Sequence, residues 1–287
     1  MNTAKYRTIE KCRVCGAQNL LSILSLGELY VSDFLDSPDK TKGIKAPLEL
    51  VLCNVKDGGC GLLQLRHTVS NEAMYRNYWY RSGINKTMTD ELNGIADKAT
   101  TIANLKAQDY VMDIGANDGT LLRGYKLPNL NTVGFEPALN LDSYNRQGTT
   151  KIIADFFTQS AWQKEYGETK AKVITAIGMF YDLDDPNVFV ADVAKCLDDE
   201  GLLVIQMMYL PSFLERNAFD GIAGNQGRQR RAAIAADHGR HPLHHHAFHR
   251  RILEHGQMRI RVIGDVNKSR SHIFAGGVDF NFCFEAV

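Results

Sequence analysis

Two absences restrict the classes to which this chain of 287 residues can belong. Its formal net charge is zero, from 33 basic and 33 acidic residues, so no excess charge attracts nucleic acid or an anionic membrane. No apolar run approaches the roughly 20 residues that span a bilayer. The first 12 residues also lack the apolar core of a signal peptide. We therefore expect a soluble, cytoplasmic protein with neither a nucleic-acid partner nor a membrane partner.

A third absence concerns glycine. A dinucleotide-binding turn needs glycines at its first, third and sixth positions. Counted from Gly115, the third and sixth positions are Asn117 and Thr120, which disfavours a nicotinamide or flavin dinucleotide. What is present is Asp-x-Gly-x-Asn-x-Gly, from Asp113 to Gly119. This pattern looks like motif I of the class I S-adenosylmethionine (SAM) methyltransferases, in which glycines let the backbone approach the ligand closely.

The middle of the chain alternates short apolar runs with helical patterns, which predicts a parallel sheet with helices on both faces. The predicted strands cover residues 110–114, 132–136, 151–154, 173–177 and 202–207. Ligands bind such sheets at the carboxyl ends of the strands. There lie Glu136, placed to accept hydrogen bonds from two ribose hydroxyls, Asp155 and Phe156 for an adenine ring, and the stretch from Gly178 to Asp182. The alternative is a glycine turn in an α/β domain that binds no nucleotide.

One helix is predicted by its apolar spacing. Apolar residues recur there at intervals of four, three, four and three, at Met88, Leu92, Ile95, Ala99 and Ile102. This spacing puts them on one helical face, which we expect to cover one face of the sheet.

Four of the six cysteines form two pairs near the N-terminus. Cys12 and Cys15 have the spacing of a zinc knuckle, and Cys53 and Cys60 are further apart. Two pairs on separate turns can bring four thiolates around one zinc ion, and such a site has no open position, so its role is structural. The alternative is a few unrelated buried cysteines. His67 is either a further ligand or an ordinary hydrogen-bonded histidine.

Residues 75–83, which we call the tyrosine segment, contain Tyr75, Tyr78 and Tyr80 together with one tryptophan and two arginines. Arginine with aromatic residues can bind a phosphorylated ligand that carries a ring. Tyrosine hydroxyls can also hold a sugar or donate a proton. The alternative is an aromatic hinge that packs one domain on the next, and composition favours neither.

Taken together, the motifs resemble those of the three-part sugar C-methyltransferases, which act on nucleotide-linked deoxyhexoses. The resemblance covers about residues 10–222 and includes both cysteine pairs. The other motifs, in order, are Cys-Gly-Leu-Leu-Gln-Leu (60–65), Tyr-Trp-Tyr-Arg-Ser-Gly (78–83), Asp-Ile-Gly-Ala-Asn-Asp-Gly-Thr-Leu-Leu (113–122), Gly-Phe-Glu-Pro (134–137), Gln-Met-Met-Tyr-Leu-Pro (206–211) and Asn-Ala-Phe-Asp-Gly-Ile (217–222).

The resemblance implies an α/β fold, in which a class I SAM-methyltransferase (Rossmann-like) domain follows a small N-terminal zinc-binding domain. It implies transfer of a methyl group from SAM to a carbon beside a keto group of the sugar. The implied sugar-facing residues are Tyr75, Tyr78 and Tyr80, and we add Asp182 as a further candidate that the family motif does not supply. The implied SAM-binding residues are Asp113, Gly115, Asn117, Gly119, Glu136, Asp155, Phe156 and Gly178. The implied zinc ligands are Cys12, Cys15, Cys53 and Cys60.

The chain departs from the family pattern in two places. Much of the family has a histidine after the fourth strand, where this chain has Asp182, which could hold a substrate hydroxyl. After residue 222 the family continues with Cys-His-Glu-His, where a base is expected, whereas this chain reads Ala-Gly-Asn-Gln-Gly-Arg-Gln-Arg-Arg. We interpret the basic, histidine-rich tail as a divergent end with poor order. As alternatives, the histidine repeat could bind a metal, and arginine with histidine could bind phosphate or nucleic acid weakly. A separate alternative is that His244 or His249 replaces the missing base.

These observations predict four regions and one activity. The regions are a zinc-binding domain (1–68), an aromatic hinge and helix (69–106), a SAM-binding domain (107–222) and the tail (223–287). The predicted activity is SAM-dependent C-methylation of a nucleotide sugar, with weak or absent turnover because the expected base region is missing. The alternatives are a methyltransferase for another small acceptor and a non-catalytic module that binds zinc and SAM. The motifs do not indicate an oligomeric state.

Overall fold

The computed structural model describes residues 6–31 and 43–207, and three short strands within residues 259–286. The described chain divides into two compact units. The N-terminal unit contains the described residues up to Met74 together with residues 181–187. The sheet unit contains residues 75–180 and 188–207 and the three later strands. Most of the predicted tail, including His244 and His249, lies outside the described residues.

The N-terminal unit is built from two small antiparallel sheets. Its strands are β1 (Tyr6–Thr8), β2 (Leu20–Tyr30), β3 (Lys45–Cys53), β4 (Leu63–Leu65) and β5 (His67–Val69), and the short helix α1 (Asn71–Tyr75) follows. The first sheet pairs β1 with β5, and the second has the order β2-β3-β4. The central strand β3 has five buried residues among its nine, whereas β2 exposes most of its residues.

The sheet unit has one eight-stranded sheet with helices between its strands. Its elements in chain order are α2 (Lys86–Ile102), β6 (Tyr110–Ile114), α3 (Thr120–Gly124), β7 (Asn131–Phe135), α4 (Asp142–Asn145), β8 (Lys151–Ile153), α5 (Gln159–Tyr166), β9 (Ala171–Ile177), α6 (Pro186–Cys196), β10 (Leu197–Gln206), β11 (Arg259–Ile263), β12 (His272–Ile273) and β13 (Glu285–Ala286). The order across the sheet is β13-β12-β11-β10-β9-β6-β7-β8. Neighbouring strands from β8 to β11 run parallel. The predicted parallel sheet is therefore confirmed.

The order of the sheet also locates a ligand site. From β6 the chain continues to β7 and β8 on one side, and then returns to β9 on the other side of β6. This reversal is a topological switch point, where α/β sheets bind ligands at the carboxyl ends of their strands. The residues that follow β6, β7 and β9 are therefore the candidates for the site.

Helix α2 covers one face of the sheet, as its apolar spacing predicts. Asn85 precedes its first residue and caps the helix, because its side chain accepts from the Met88 N–H at 3.2 Å. Its buried face contributes Leu92, Ile95 and Ala99 to an apolar cluster with strand residues Val111, Val173, Leu202 and Val204. Among the described helices, none combines the length and apolar content needed to cross a membrane.

We expect Gly119→Ala to destabilise the sheet unit and Gly94→Ala to stabilise it slightly. Gly119 has φ +79°, and a Cβ there would lie 2.9 Å from the main-chain oxygen of Asn145, so its loss should cost about 2 kcal/mol. Gly94 lies within α2 with no atom near its Cβ position, so alanine there should add about 0.5–1 kcal/mol. Urea unfolding followed by circular dichroism measures both changes. Equal midpoints for the two variants would contradict this interpretation.

Candidate functional site

The four predicted zinc ligands converge in the N-terminal unit. Cys12 and Cys15 lie on one tight turn, in which the Gly16 N–H donates to the Cys12 carbonyl at 3.0 Å. Cys53 ends β3, and the Cys60 N–H donates to its sulfur at 3.3 Å. All four sulfurs lie within 4.8 Å of one another. The sulfurs of Cys12 and Cys60 are 3.6 Å apart, and those of Cys15 and Cys53 are 3.5 Å apart.

This cluster has the dimensions of a tetrahedral zinc site. Zinc–sulfur bonds of about 2.3 Å put the sulfurs of a tetrahedron about 3.8 Å apart. The hydrogen bond with Cys60 lowers the pKa of Cys12 to about 4, whereas burial raises the pKa of Cys53 to about 12. The thiols of Cys12 and Cys53 therefore do not ionise together unless a cation lies among the four sulfurs. Zinc fits this donor set as a structural ion, because four thiolates leave no open position.

Residues beside the cluster hold its first turn in place. Within the described residues, the four cysteines are the group of side chains that could hold a metal ion. His67 does not belong to this group, and its ring lies edge-on to the ring of Tyr6. The guanidinium of Arg13 donates to the Leu65 carbonyl at 2.8 Å. From residues 181–187, the Asn187 amide donates to the carbonyls of Arg13 at 3.2 Å and Val14 at 2.8 Å. The stretch 181–187 is thus bound directly to the turn that carries the first cysteine pair.

The predicted SAM motif forms a tight turn at residues 115–119, which we call the cofactor turn. The Gly115 N–H donates to the Phe135 carbonyl at 2.9 Å, which joins the start of the turn to the end of β7. Three of its residues have left-handed backbone conformations, with φ +75° at Gly115, +51° at Asn117 and +79° at Gly119. Glycine adopts this conformation readily and asparagine more readily than most residues. The spacing of these residue types therefore matches the backbone of the turn.

Glu136, the residue predicted to bind the ribose, lies directly beside the cofactor turn. One carboxylate oxygen accepts from the Asn117 N–H at 2.6 Å, and the other accepts from the Ala138 N–H at 2.8 Å. The residue is 6% exposed, and burial raises its pKa to about 7. Each carboxylate oxygen can accept two hydrogen bonds, so both retain capacity for a ligand hydroxyl.

Asp113 and Gly178 lie at the ends of the neighbouring strands β6 and β9. The Asp113 carboxyl is 3% exposed and accepts from the Thr175 hydroxyl at 2.6 Å, and its burial raises its pKa to about 7. Gly178 has φ +66° and follows β9 directly. A Cβ on Gly115 would lie 3.3 Å from the side chain of Met179. The two strand ends therefore meet at the cofactor turn, and the contact of these residues with SAM stays a prediction.

The predicted adenine-binding residues have a partner that the sequence did not reveal. The Arg76 guanidinium donates to an Asp155 carboxylate oxygen at 2.8 Å and lies over the Phe156 ring, 4.8 Å from its centroid. The same Asp155 oxygen accepts from the Phe156 N–H at 2.9 Å. Arg76 belongs to the tyrosine segment, so this segment reaches the end of β8.

The three predicted tyrosines lie in a row. The ring centroids of Tyr75 and Tyr78 are 6.1 Å apart, and those of Tyr78 and Tyr80 are 6.5 Å apart. The main chain of the tyrosine segment is bound by the side-chain amides of Asn117 and Asn140. The tyrosine segment and the cofactor turn therefore form one hydrogen-bonded arrangement within the sheet unit.

Asp182 is the one predicted sugar-facing residue that belongs to the N-terminal unit. It ends a 3-10 turn, Phe180–Asp182, and is 7% exposed. Its role towards a substrate stays a prediction.

Comparison with known proteins identifies two domain families. Residues 12–75 match the model of a zinc binding domain, and residues 80–256 match the model of a methyltransferase domain. Among curated proteins, the C-methyltransferase NovU of Streptomyces niveus is 26% identical over 219 residues, which are 75% of this chain and 51% of that protein. The chain thus spans about half the length of the curated relative that it matches.

Two solved structures align with part of the chain. The cyclopropane synthase MmaA2 of Mycobacterium tuberculosis is 12% identical with a TM-score of 0.42, over 70% of this chain and 73% of that chain. DesVI of Streptomyces venezuelae is 19% identical with a TM-score of 0.34, over 45% of this chain and 55% of that chain.

We expect Cys53→Ser to lose bound zinc and Cys196→Ala to keep it. Cys53 is one of the four clustered ligands, whereas Cys196 is a buried cysteine that lies outside the cluster. A chelating dye added after proteolysis measures zinc per chain, for which we expect one ion in the unaltered protein and in Cys196→Ala. Stoichiometric zinc in Cys53→Ser, or loss in both variants, would argue against the four-sulfur site.

Proposed function

Because the chain belongs to the methyltransferase domain family, whose model matches its residues 80–256, we propose that it transfers the methyl group of SAM to a carbon next to a keto group of a nucleotide-linked deoxysugar. Membership in this family confirms the predicted fold class, with SAM as the cofactor of the sheet unit. The match of residues 12–75 and the four-sulfur cluster likewise make zinc the ion of the N-terminal unit.

The observation that carries the proposal is the attachment of the tyrosine segment to the cofactor turn. Asn117, within the turn, binds the main chain of this segment, which bears Tyr75, Tyr78 and Tyr80. Three tyrosines with neighbouring rings therefore lie in the same unit as the predicted methyl-donor site. Sugars are recognised through hydroxyls such as those of tyrosine, and similarity to a C-methyltransferase supports transfer to carbon.

For this reaction the chain must supply a base, hydrogen-bond donors and a means of aligning the acceptor carbon. SAM supplies an electrophilic methyl group on a sulfonium. A base must remove a proton from the carbon beside the keto group, and the enolate electron pair forms the new carbon–carbon bond as the methyl–sulfur bond breaks and S-adenosylhomocysteine leaves. Hydrogen-bond donors must stabilise the developing enolate oxygen, and the tyrosines of the segment are our candidates. The segment must also hold the acceptor carbon in line with the methyl group.

The proposal is tested with the zinc-loaded chain, SAM and a nucleoside-diphosphate deoxyhexose that carries a keto group. We expect slow release of S-adenosylhomocysteine and a sugar product heavier by one CH2 group, because the base region expected from the family pattern is missing after residue 222. The matched control is the same sugar with a hydroxyl in place of the keto group, which should not react because its C–H bond is not acidified. Release with a different small acceptor only would favour the alternative methyltransferase. Binding of S-adenosylhomocysteine without turnover of any acceptor would favour the non-catalytic module and contradict the proposal.

The affinity for SAM should fall as pH decreases through about 7, if Glu136 binds the ribose. Burial raises the pKa of Glu136 to about 7, and the ionised carboxylate accepts ribose hydroxyls better than the protonated acid. Between pH 8 and pH 6 the ionised fraction falls about tenfold, and SAM affinity should follow it. Calorimetric titration at both pH values measures the change.

Glu136→Gln is the control for this pH dependence. Glutamine keeps the size of the side chain without a titrating group, so this variant should bind SAM more weakly at pH 8. Its affinity should change less between the two pH values, and ionisation of the ligand affects both proteins alike. The same pH dependence in Glu136→Gln would exclude Glu136 as its source.

A further inference from the structure

The tyrosine segment is bound to the sheet unit by two side-chain amides that imitate strand pairing. The Asn117 amide accepts from the Ser82 N–H at 2.9 Å and donates to the Tyr80 carbonyl at 2.9 Å. The Asn140 amide accepts from the Tyr78 N–H at 2.9 Å and donates to the Tyr78 carbonyl at 3.0 Å. These four bonds use main-chain atoms of the segment. The amides therefore fix the path of the backbone from which the tyrosine side chains project.

Asn117 differs from Asn140 because its own backbone is part of the cofactor turn. Its N–H donates to the Glu136 carboxylate at 2.6 Å, and its carbonyl accepts from the Asn145 amide at 3.2 Å. One residue thus joins the predicted ribose acceptor to the tyrosine segment. Any ligand that changes the position or charge of the Glu136 carboxylate also acts on the peptide of Asn117.

The C-terminal end of the tyrosine segment packs closely against the start of α3. The Gly83 N–H donates to the Asp118 carboxylate at 2.9 Å, and Asp118 is 1% exposed. A Cβ on Gly83 would lie 2.7 Å from the Thr120 hydroxyl oxygen. The Arg81 guanidinium lies over the Tyr144 ring, 3.5 Å from its centroid. This packing leaves the segment little room to move unless its contacts with the cofactor turn change.

We propose that Asn117 is a positioning residue that couples occupation of the cofactor site to the placement of Tyr78 and Tyr80. The coupling rests on the proposed function, since it requires that SAM or S-adenosylhomocysteine binds beside Glu136. The resemblance to the sugar C-methyltransferases implies that Asn117 is a SAM-binding residue. In the proposed coupling, the side chain of Asn117 binds the tyrosine segment, and its backbone N–H binds Glu136 at the cofactor site.

The tryptophans of the chain make this coupling measurable without turnover. Trp79 lies in the tyrosine segment and is 46% exposed, whereas Trp162 is 1% exposed. Acrylamide therefore quenches mainly Trp79, and Trp79→Phe verifies the assignment. In the unaltered protein, S-adenosylhomocysteine should change the quenching of Trp79 about twofold as it shifts the segment.

The decisive variant is Asn117→Gly. Residue 117 has φ +51°, so glycine removes the amide without adding backbone strain. We expect this variant still to bind S-adenosylhomocysteine calorimetrically, with an affinity changed by the loss of the coupling, while the change in Trp79 quenching at saturating ligand is lost. Asn117→Asp retains an acceptor for the Ser82 N–H and loses the donor to Tyr80, so it should retain part of the response. The matched control is Asn129→Gly, at another asparagine with left-handed φ, +58°, which should behave like the unaltered protein.

The outcomes separate the coupling from the proposed function. If S-adenosylhomocysteine binds to Asn117→Gly and still changes the quenching of Trp79, the coupling is wrong and the predicted cofactor site is retained. The coupling is also wrong if the ligand binds to the unaltered protein without any change in quenching. Absence of ligand binding to the folded, unaltered protein would overturn both. Circular dichroism and zinc content show whether each variant is folded, and Asn117→Asp takes the place of Asn117→Gly if the latter is not.

Discussion

The hydrogen bond from the Asn117 N–H to the Glu136 carboxylate is the contact on which the site depends. Parallel pairing of β6 with β7 puts Ile114 opposite Phe135, so the residues that follow both strands meet at one edge of the sheet. There the chain turns through left-handed residues, which asparagine and glycine tolerate. The bond fixes the turn and the buried carboxylate relative to each other. A ligand that uses both therefore meets a site already formed by the backbone, at little cost in ordering.

The N-terminal unit depends on a different constraint. Two apolar clusters of its described residues are small, one around Leu48, Leu50 and Leu65 and another around the cysteines themselves. Clusters of this size bury little apolar surface, so metal binding at the cysteines contributes directly to the stability of this part of the chain. The cysteine turn also holds residues 181–187 through the Asn187 amide. The metal site thereby orders the stretch that contains Asp182, so its structural role extends to a predicted substrate residue.

Local signals made the turn and the cysteine cluster predictable. The cofactor turn requires left-handed residues at fixed intervals, and zinc ligands come in closely spaced pairs, so both appear in the sequence as short patterns. The roles of Asn140 and Arg76 have no such pattern. Asn140 binds Tyr78 across 62 positions of the chain, and Arg76 binds Asp155 across 79 positions. In the sequence, neither Asn140 nor Arg76 differs from an ordinary polar residue, because its partner is distant along the chain and close only in the folded structure. For the same reason composition could not distinguish a ligand-binding role of the tyrosine segment from a packing role.

Arg76 gives the cofactor a second route to the tyrosine segment. Its side chain is 30% exposed and that of Asp155 is 58% exposed, so their ion pair contributes at most about 1 kcal/mol. An adenine ring is planar and uncharged, and stacking on Phe156 would bury apolar surface that the guanidinium covers only partly. The arginine can therefore leave Phe156 at little cost or remain as a second layer over the adenine. Either arrangement changes the contacts of residue 76, while the ribose end of the cofactor acts through Asn117. A cofactor bound as predicted thus contacts the segment near both of its ends, which favours movement of the segment as a whole over the reorientation of one tyrosine.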